Sequence, residues 1–339
     1  MSDPSAKQEC MTVSEDFLQV TDPLRRELLA HCYRMTGSVH DAEDLVQETY
    51  LRAWRAYDRF EGRSSVRTWL YQIATNRCLT ALGQSGRRPL PTGLGAPSER
   101  GDSPVVADDE MPWLEPIPDS AVGADPASVV TSRESIRLAL IAALQHLPPR
   151  QRAVLILRDV LQWRAAEVAE VLETTTTAVN SSLQRARAQL ATVTPAEDTV
   201  SEPTETEQRE LLERFVRAFE SYDVDAIAHL LTADAVMEMP PFTGWYRGPD
   251  DITLVIKTHC PAKTAGDMRL MPCSANGQPG FAIYIRGDDG VHRAFNLQVL
   301  SLGREGVTRL TTFFDPRLFE VFGLPAELPA VEEGVPAGK

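Results

Sequence analysis

The stretch that decides the fold runs from Thr174 to Leu190 and reads TTTTAVNSSLQRARAQL. Apolar side chains recur in it at steps of four, three and four, which predicts one buried helix face. These apolar residues are Val179, Leu183, Ala186 and Leu190, and the opposite side carries Thr177, Ser181, Gln184 and Arg185. The amphipathic segment WRAAEVAEVLE directly precedes the stretch. Two helices joined by a tight polar turn form a helix-turn-helix pattern.

Hydroxyl-bearing residues lie where the second helix of this pattern should begin. Thr176 or Thr177 can cap that helix, which leaves its N-terminal amides free to meet a phosphate. A plain surface helix without a binding role would show a similar pattern. The rest of the chain has to decide between the two interpretations.

Two other blocks favour nucleic acid. ALQHLPPRQRAVLILRDVLQ lies just ahead of the helix-turn-helix, and DAEDLVQETYLRAWRAYDRFEGRSSVRTWLYQIATNRC lies far upstream. Together these segments resemble sigma factors of the sigma-70 family, in the small extracytoplasmic-function (ECF) class. The upstream block is similar to sigma region 2 and the later one to sigma region 4. The resemblance implies two all-α modules, a region 2 helical bundle and a region 4 helix-turn-helix.

Charge is distributed unevenly along the 339 residues, whose net charge is −14. Residues 20–90 contain 11 basic and 8 acidic side chains, and residues 134–194 contain 7 and 5. The acidic excess lies in residues 91–133, with 2 basic against 8 acidic, and in residues 195–339, with 13 against 23. Because the two modules that should face DNA are only weakly basic, we expect the free protein to bind DNA poorly.

Several classes of protein are excluded by composition. The five cysteines have no metal-ligand spacing, and no apolar run approaches the ~20 residues of a membrane span. Without a signal peptide, the cysteines indicate free thiols in a reducing compartment. We therefore expect a cytoplasmic protein with no membrane segment, no metal and no cofactor.

The second half of the chain has a different texture. RELLERFVRAFESYDVDAIAHLL predicts an amphipathic helix pair, and alternating segments with turn signals at Asn276-Gly277 and Asp289-Gly290 predict strands. Helices followed by a meander of strands indicate an α+β domain. WYRGPDDI and TTFFDPRLFEVFGLP resemble SnoaL-like domains, which implies an α+β cone-shaped barrel related to nuclear transport factor two.

The expected organisation follows from these patterns and from runs of proline and acidic residues. Helices are predicted over 23–34, 39–60 and 66–85, and Ser38 and Asp41 have the spacing of a capping box at the start of the second. The expected parts are a flexible N terminus (1–19), region 2 (20–88), an acidic Pro-rich linker (89–131), region 4 (132–194), a second linker (195–206), the SnoaL-like domain (207–325) and a disordered tail (326–339).

The predicted helix over 39–60 has an apolar stripe and a polar ridge. The stripe comprises Ala42, Leu45, Val46, Tyr50, Ala53, Trp54 and Tyr57. A solvated surface would explain the ridge, but DAEDLVQE resembles sigma region 2.2, which docks on the clamp of RNA polymerase's largest subunit. The resemblance assigns that contact to Asp44, Gln47 and Glu48. An acidic and amide ridge suits a basic partner surface.

The following segment resembles sigma regions 2.3 and 2.4, which open the promoter at the −10 element. Strand opening needs groups that hold unstacked bases and phosphates. Trp69 has the spacing of a core residue more than that of a base-stacking one. The −10 DNA contacts are assigned to Arg63, Ser65, Arg67, Asn76 and Arg77.

Region 4 would read the −35 element as duplex, and it would also contact the polymerase flap. Gln184 and Arg185 suit base edges or phosphates in the major groove, and Thr177 and Ser181 suit the backbone. Asn180 completes the predicted −35 set. Two departures from the family put the usual −35 preference in doubt: Asn180 and Ser182 replace a lysine and an arginine, and Glu173 stands where glycine is common.

The linker and the C-terminal domain carry the regulatory hypotheses. A solvated tether is the plain interpretation of the acidic linker, whereas the resemblance implies that it threads the RNA exit path. Trp113 and Leu114 resemble a linker motif of SnoaL-tailed sigma factors and are expected to pack against the C-terminal domain. That domain could bind a small molecule, and its candidates for acid–base work are Glu238, Trp245, Tyr246, His259, Tyr284 and Asp315. Since no acid–base pair stands out, we expect a noncatalytic regulatory domain.

Three functions compete. The first is a sigma factor that binds core RNA polymerase and promoter DNA, with an anti-sigma protein or small ligand as a further partner. The second is a SnoaL-type isomerase or cyclase, or a ligand-binding domain, fused to a DNA-binding regulator. The third is a ligand-sensing repressor. DAEDLVQE favours the first, because a polymerase-docking helix has no use in an ordinary enzyme.

Overall fold

The computed structural model describes residues 16–83, 86–122, 135–193 and 203–329. The chain divides into two compact units. The first comprises Met1–Arg88 and Leu114–Pro195, and the second comprises Pro89–Trp113 and Ala196–Lys339. The expected flexible N terminus, second linker and tail lie largely outside the described residues.

In the first unit, a short helical segment over residues 16–21 is followed by three longer helices. They are α1 (Arg25–Thr36), α2 (Val39–Ala56) and α3 (Val66–Leu82), with a 3-10 turn before α1 (Asp22–Leu24) and another after α2 (Tyr57–Arg59). Gly37 takes a left-handed φ of 72° and ends α1. The Ser38 hydroxyl then accepts from the Asp41 amide at 3.1 Å, which confirms the predicted cap of α2.

The predicted apolar stripe of α2 is confirmed at Ala42, Leu45, Val46 and Ala53, which are buried, but not along its whole length. Ala42, Val46, Thr49 and Ala53, at steps of four, three and four, are all fully buried. Trp54 follows Ala53 by one residue, a rotation of about 100°, and its exposed fraction is 47%. The prediction that Trp54 belongs to the apolar stripe is therefore wrong.

The remainder of the first unit contains the helix-turn-helix. Its helices are α4 (Asp119–Val122), α5 (Leu138–Leu144), α6 (Pro149–Leu155), α7 (Ala165–Val171) and α8 (Thr176–Val193), with a π turn at Ile156–Val160. Glu173 sits in the turn with a φ of 50°, which explains why glycine suits this position. The cap of α8 is Thr175, whose hydroxyl accepts from the Ala178 amide at 3.2 Å. The predicted cap at Thr176 or Thr177 was one or two residues late.

The two helical modules of the first unit pack against each other through buried cations. Arg34 on α1 donates to the Ser135 hydroxyl at 2.8 Å. Arg152 on α6 donates to the Met35 carbonyl oxygen and to Gln145 Oε1, the latter at 2.7 Å. Burial lowers the pKa of each guanidinium to about 10, so both remain charged at neutral pH. Hydrogen bonds to these arginines give the packing a specific geometry.

The predicted linker is divided between the two units. Residues 89–113, here called the strap, belong to the C-terminal unit. Ala107 of the strap forms an antiparallel bridge with Phe242. Residues 114–122 belong to the helical unit, where Leu114 and Ile117 are fully buried. The sequence predicted one extended tether over 89–131, and its described part is instead packed at both ends.

The C-terminal unit is an α+β domain with one seven-stranded sheet. The helices are α9 (Glu205–Glu220), α10 (Val224–Leu230), α11 (Pro249–His259) and α12 (Arg317–Val321). The strands are β1 (Leu231–Glu238), β2 (Trp245–Arg247), β3 (Met268–Ala275), β4 (Gln278–Arg286), β5 (His292–Gly303), β6 (Gly306–Phe313) and β7 (Glu327–Leu328). Their order is β2-β1-β6-β5-β4-β3, with β7 on β5. Only the β1–β6 pair is parallel among these described strands.

The sheet is open rather than a closed barrel, because the end strands β2 and β3 do not pair in the described domain. The predicted turns hold: Asn276 and Gly277 both take left-handed φ angles, of 57° and 69°, between β3 and β4. The helices α9, α10 and α11 contribute to one apolar core, which includes Phe215, Ile227 and Ile252. β7 also shows that order continues past residue 326, where the tail was expected to begin.

Candidate functional site

An exposed face runs along α2. Asp44, Gln47 and Glu48 are all exposed, and their spacing of three and four places them on one side of the helix. Leu51 and Trp54 continue the same side at steps of three, with exposed fractions of 55% and 47%. The face therefore begins acidic and ends apolar. Leu51 and Trp54 were not predicted to belong to this face, although their spacing from Glu48 is typical of one helix side.

Two residues predicted for different partners pair with each other. Glu48 on α2 accepts from the Arg77 Nε on α3 at 2.7 Å, and the Arg77 Nη2 lies 2.6 Å from the same carboxylate. The pair is partly exposed, so it contributes at most about 1 kcal/mol to stability.

The remaining −10 candidates lie just before α3 and in its C-terminal half. Arg63 is in the preceding loop, where it pairs with Glu61 at 2.5 Å and is largely exposed. Ser65 caps α3, because its hydroxyl accepts from the Thr68 amide at 3.0 Å. Asn76 is exposed beside Arg77. Half-buried Trp69 stacks against Phe60, with ring centroids 4.7 Å apart.

Arg67 is engaged within the helical unit. Its guanidinium contacts Glu27 with both Nε and Nη2, at 2.9 Å each. It also lies over the rings of Tyr71 and Trp163, at 5.1 and 5.5 Å from their centroids. Trp163 lies two residues before α7, so a residue predicted for −10 DNA contacts the region that carries the helix-turn-helix, with 41% of its side chain exposed.

A buried histidine lies behind this surface. His31 Nε2 is 2.9 Å from the Thr75 hydroxyl, and its ring is 5.0 Å from that of Tyr71. Burial, with the nearby charges of Arg34 and Arg67, lowers the pKa of His31 to about 3. The imidazole is therefore neutral in the folded protein, where it serves the core.

The outer side of α8 presents all five residues predicted for −35 DNA. Thr177, Asn180, Ser181, Gln184 and Arg185 are exposed. The packed side holds Val179, Leu183 and Ala186 as buried residues, with Leu190 half-buried. Further along, Arg187 is held by Asp159 through bonds of 2.8 and 2.7 Å. The geometry thus leaves a polar helix face next to an N-terminal turn rich in hydroxyls.

Three of the side chains proposed for acid–base work in the C-terminal domain contact the strap. Fully buried Glu238 accepts from the Thr92 hydroxyl at 2.8 Å and from Arg309 at 3.0 Å. Trp245 Nε1 donates to the Gly95 carbonyl oxygen at 2.9 Å. His259 Nε2 lies 3.0 Å from the Ser103 carbonyl oxygen.

The other three side chains proposed for acid–base work are buried or hydrogen-bonded within the domain. Tyr246 is buried, and burial raises its pKa. The Tyr284 hydroxyl donates to the Pro325 carbonyl oxygen at 2.9 Å. Asp315 pairs with Arg317 at 2.7 Å and accepts from its amide at 3.0 Å, at the start of α12. None of the six lines a cavity of about 410 Å³ on this domain, beside α9 and α10, whose lining includes Arg214, Arg217 and His229.

The two predicted regulatory residues fall in different units. Trp113 ends the strap, and its indole Nε1 donates to the Asp108 carbonyl oxygen at 2.8 Å. Leu114 is fully buried in the helical unit. Over the described residues, no cluster of His, Cys, Asp or Glu could hold a metal ion. No helix there has both the length and the apolar character needed to cross a membrane.

Comparison with known proteins supports this division. Residues 22–88 match the model of Sigma-70 region 2, residues 137–190 that of Sigma-70, region 4, and residues 212–314 that of the SnoaL-like domain. The chain is 58% identical over 315 residues to the ECF RNA polymerase sigma factor SigG of Mycobacterium tuberculosis, covering 92% of this chain and 85% of that protein.

A second relative supplies a solved structure. The ECF RNA polymerase sigma factor SigJ of M. tuberculosis is 31% identical over 243 residues, covering 69% of this chain and 70% of that protein. Its crystal structure aligns at 25% identity with a TM-score of 0.58, over 91% of this chain and 100% of that chain. The match to SigG along nearly the whole length, with both sigma regions in order, shows that this chain belongs to the ECF RNA polymerase sigma factors of the sigma-70 family.

Proposed function

We propose that this sigma factor binds core RNA polymerase through the exposed face of α2 and directs it to specific promoters in the cytoplasm. The observation that carries the proposal is the continuity of that face, from Asp44 through Glu48 to Leu51 and Trp54. Acidic groups orient a basic partner and speed its approach. Exposed aromatic and aliphatic side chains supply the apolar contact that holds it.

Promoter opening is assigned to α3 and the loop before it. Arg63 and Asn76 are exposed to a displaced strand, and Ser65 presents its hydroxyl at the start of α3. Arg77 and Arg67 would first have to leave their partners Glu48 and Glu27 to contact DNA. Duplex recognition at −35 is assigned to the exposed side of α8, where Gln184 and Arg185 suit base edges.

The packed arrangement of the helical unit has to open for both elements to be read at once. The −10 and −35 elements are about 85 Å apart along duplex DNA, at about 3.4 Å per base pair. Each module contributes a radius of about 10 Å. Between Val122 and Ser135 the chain can span at most about 47 Å. The two radii and this span together fall short of the distance between the two elements. Opening therefore also requires residues 114–122 to leave the helical bundle.

The C-terminal domain is proposed to be a noncatalytic regulator. Glu238, Trp245 and His259, the residues best suited to bind or activate a substrate, hold the strap instead. A carboxylate that already accepts from Thr92, Arg309 and Thr311 is poorly placed to act as a general base. This domain acts on the sigma modules through the segment it holds.

The docking assignment is tested by reversing the charge of the α2 face. Asp44→Arg combined with Glu48→Arg should abolish co-purification with core polymerase while helical content stays unchanged. Arg209→Glu with Arg214→Glu, on exposed positions of α9, is the matched control and should leave binding intact. Holoenzyme formation at the original affinity by the α2 double variant would refute the assignment.

A further inference from the structure

The strap is held on the C-terminal domain by a regular series of polar contacts. The Ser98 amide donates to the Trp245 carbonyl oxygen at 2.7 Å, and the Thr243 amide donates to the Val106 carbonyl oxygen at 2.9 Å. The Asp108 amide donates to the Pro241 carbonyl oxygen at 2.9 Å. These main-chain bonds lie beside the Glu238, Trp245 and His259 contacts described above.

One position brings the strap backbone directly against the domain. Gly101 is buried, and its amide donates to Asp251 at 3.3 Å. A Cβ atom built on Gly101 would lie 2.3 Å from the Asp251 carbonyl oxygen and 2.9 Å from the Val255 amide nitrogen. Glycine is thus required here for a steric reason. By contrast, a Cβ on Gly95 would meet no atom within 4 Å.

Few apolar side chains hold the middle of the strap in place, although Leu90 and Trp113 at its two ends are buried. Val105 is partly buried against the domain core, but Val106 is 62% exposed and Leu94 is also exposed. A segment with little apolar burial along its middle opens at the low end of a protein's local stability range. The following segment differs, because Leu114 and Ile117 are fully buried.

Both flanks of the strap are fixed to the first turn of α2. Arg88 pairs with Asp41 at 2.5 Å. Glu115 accepts from the Ser38 hydroxyl at 2.7 Å and lies 2.9 Å from His40 Nδ1. Asp41 is only three residues from Asp44 on the proposed polymerase face. A basic polymerase surface that binds this face of α2 would compete with Arg88 for Asp41. Separation of the two helical modules would remove Glu115 from α2.

We propose that the strap is a reversible element, held by the C-terminal domain in the free chain and released from it when core polymerase binds. The inference rests on the proposed sigma function. It gives the C-terminal domain a defined role, because Glu238, Trp245, His259 and the surface around Asp251 then form a docking site for the chain's own residues 92–108. Release of that segment accompanies the departure of residues 114–122 from α2.

Hydrogen exchange on the full chain, alone and with core polymerase, tests this directly. Complex formation is measured first by co-purification. In the complex, amides of the strap should exchange at least about tenfold faster, whereas amides of β5 and β6 keep their protection. Strap protection that persists in a proven complex would overturn the inference and leave the sigma function standing. A failure to form any complex would refute the sigma function and the inference together.

A pair of alanine variants separates docking from folding. Gly101→Ala forces the strap away from α11, so the amides of the strap should exchange about tenfold faster in the free chain. Affinity for core polymerase should rise by up to the same factor, because release of the strap no longer opposes assembly. Gly95→Ala, in the same segment, should change neither quantity. Faster exchange in Gly101→Ala with unchanged core affinity would show that release is not coupled to assembly, and would overturn the proposal.

Discussion

Replacing Trp54 by alanine should weaken core polymerase binding strongly, and the size of the loss follows from its exposure. A tryptophan side chain can bury up to about 250 Å², and 47% of Trp54 is exposed. If a partner covers that surface, about 120 Å² leaves water. At about 25 cal/mol per Å² this contributes about 3 kcal/mol, or about a hundredfold in Kd. Incomplete coverage would reduce the effect to about tenfold.

The assay is a titration of labelled core polymerase with Trp54→Ala and with the parent chain, at fixed ionic strength. Leu18→Ala is the matched control, since Leu18 is similarly exposed but lies outside α2. Thermal unfolding of both variants checks that the helical unit remains folded. Parental affinity in a folded Trp54→Ala chain would refute the claim that the apolar end of this face contacts polymerase.

Three further outcomes are expected. The pKa of His31 is about 3 in the folded chain, against an ordinary value of 6.5. The unfolded state therefore binds more protons below pH 6.5, and stability is lost as pH falls. Urea unfolding should show about 2 kcal/mol less stability at pH 5 than at pH 7, and His31→Gln should remove this loss. If Arg185 contacts a base, Arg185→Ala should weaken promoter binding by about 1–3 kcal/mol and relax sequence preference at one −35 position. A uniform loss of affinity over all sequences in a binding-site selection would make Arg185 a phosphate contact. No loss of affinity would refute the assignment of α8 as the recognition helix. Trp113→Ala, which removes the bond to Asp108, should change promoter activity in reconstituted transcription, and activity equal to that of the parent chain would exclude a regulatory role for Trp113.

Local signals predicted the helical half of the chain well. The spacing of Val179, Leu183 and Ala186 predicted the buried face of α8, and Ser38 predicted the start of α2, because periodicity and caps act within a few residues. The same patterns could not resolve one step of rotation, so Trp54 was assigned to the core. Thr175 was missed as a cap because four consecutive threonines offer the same hydroxyl.

The strap could not be predicted from such signals. Proline, glycine and acidic residues give it no helical or strand period, and that composition is typical of a solvated linker. Its order depends on contacts between residues far apart in sequence, such as Thr92 with Glu238 and Gly101 with Asp251. Likewise, the turn signals predicted the hairpin at Asn276, whereas closure of the sheet depends on whether β2 and β3 meet. Neither outcome is encoded in a short window.

The most direct test of the central claim is promoter-specific transcription with purified core polymerase. We predict that core polymerase alone initiates at no specific promoter. Adding the full chain should produce transcripts from one defined start on its cognate promoter. The Asp44→Arg, Glu48→Arg double variant should produce none. Specific transcripts made by the double variant at the level of the parent chain, or none made by the parent chain on any promoter of its genome, would contradict the account.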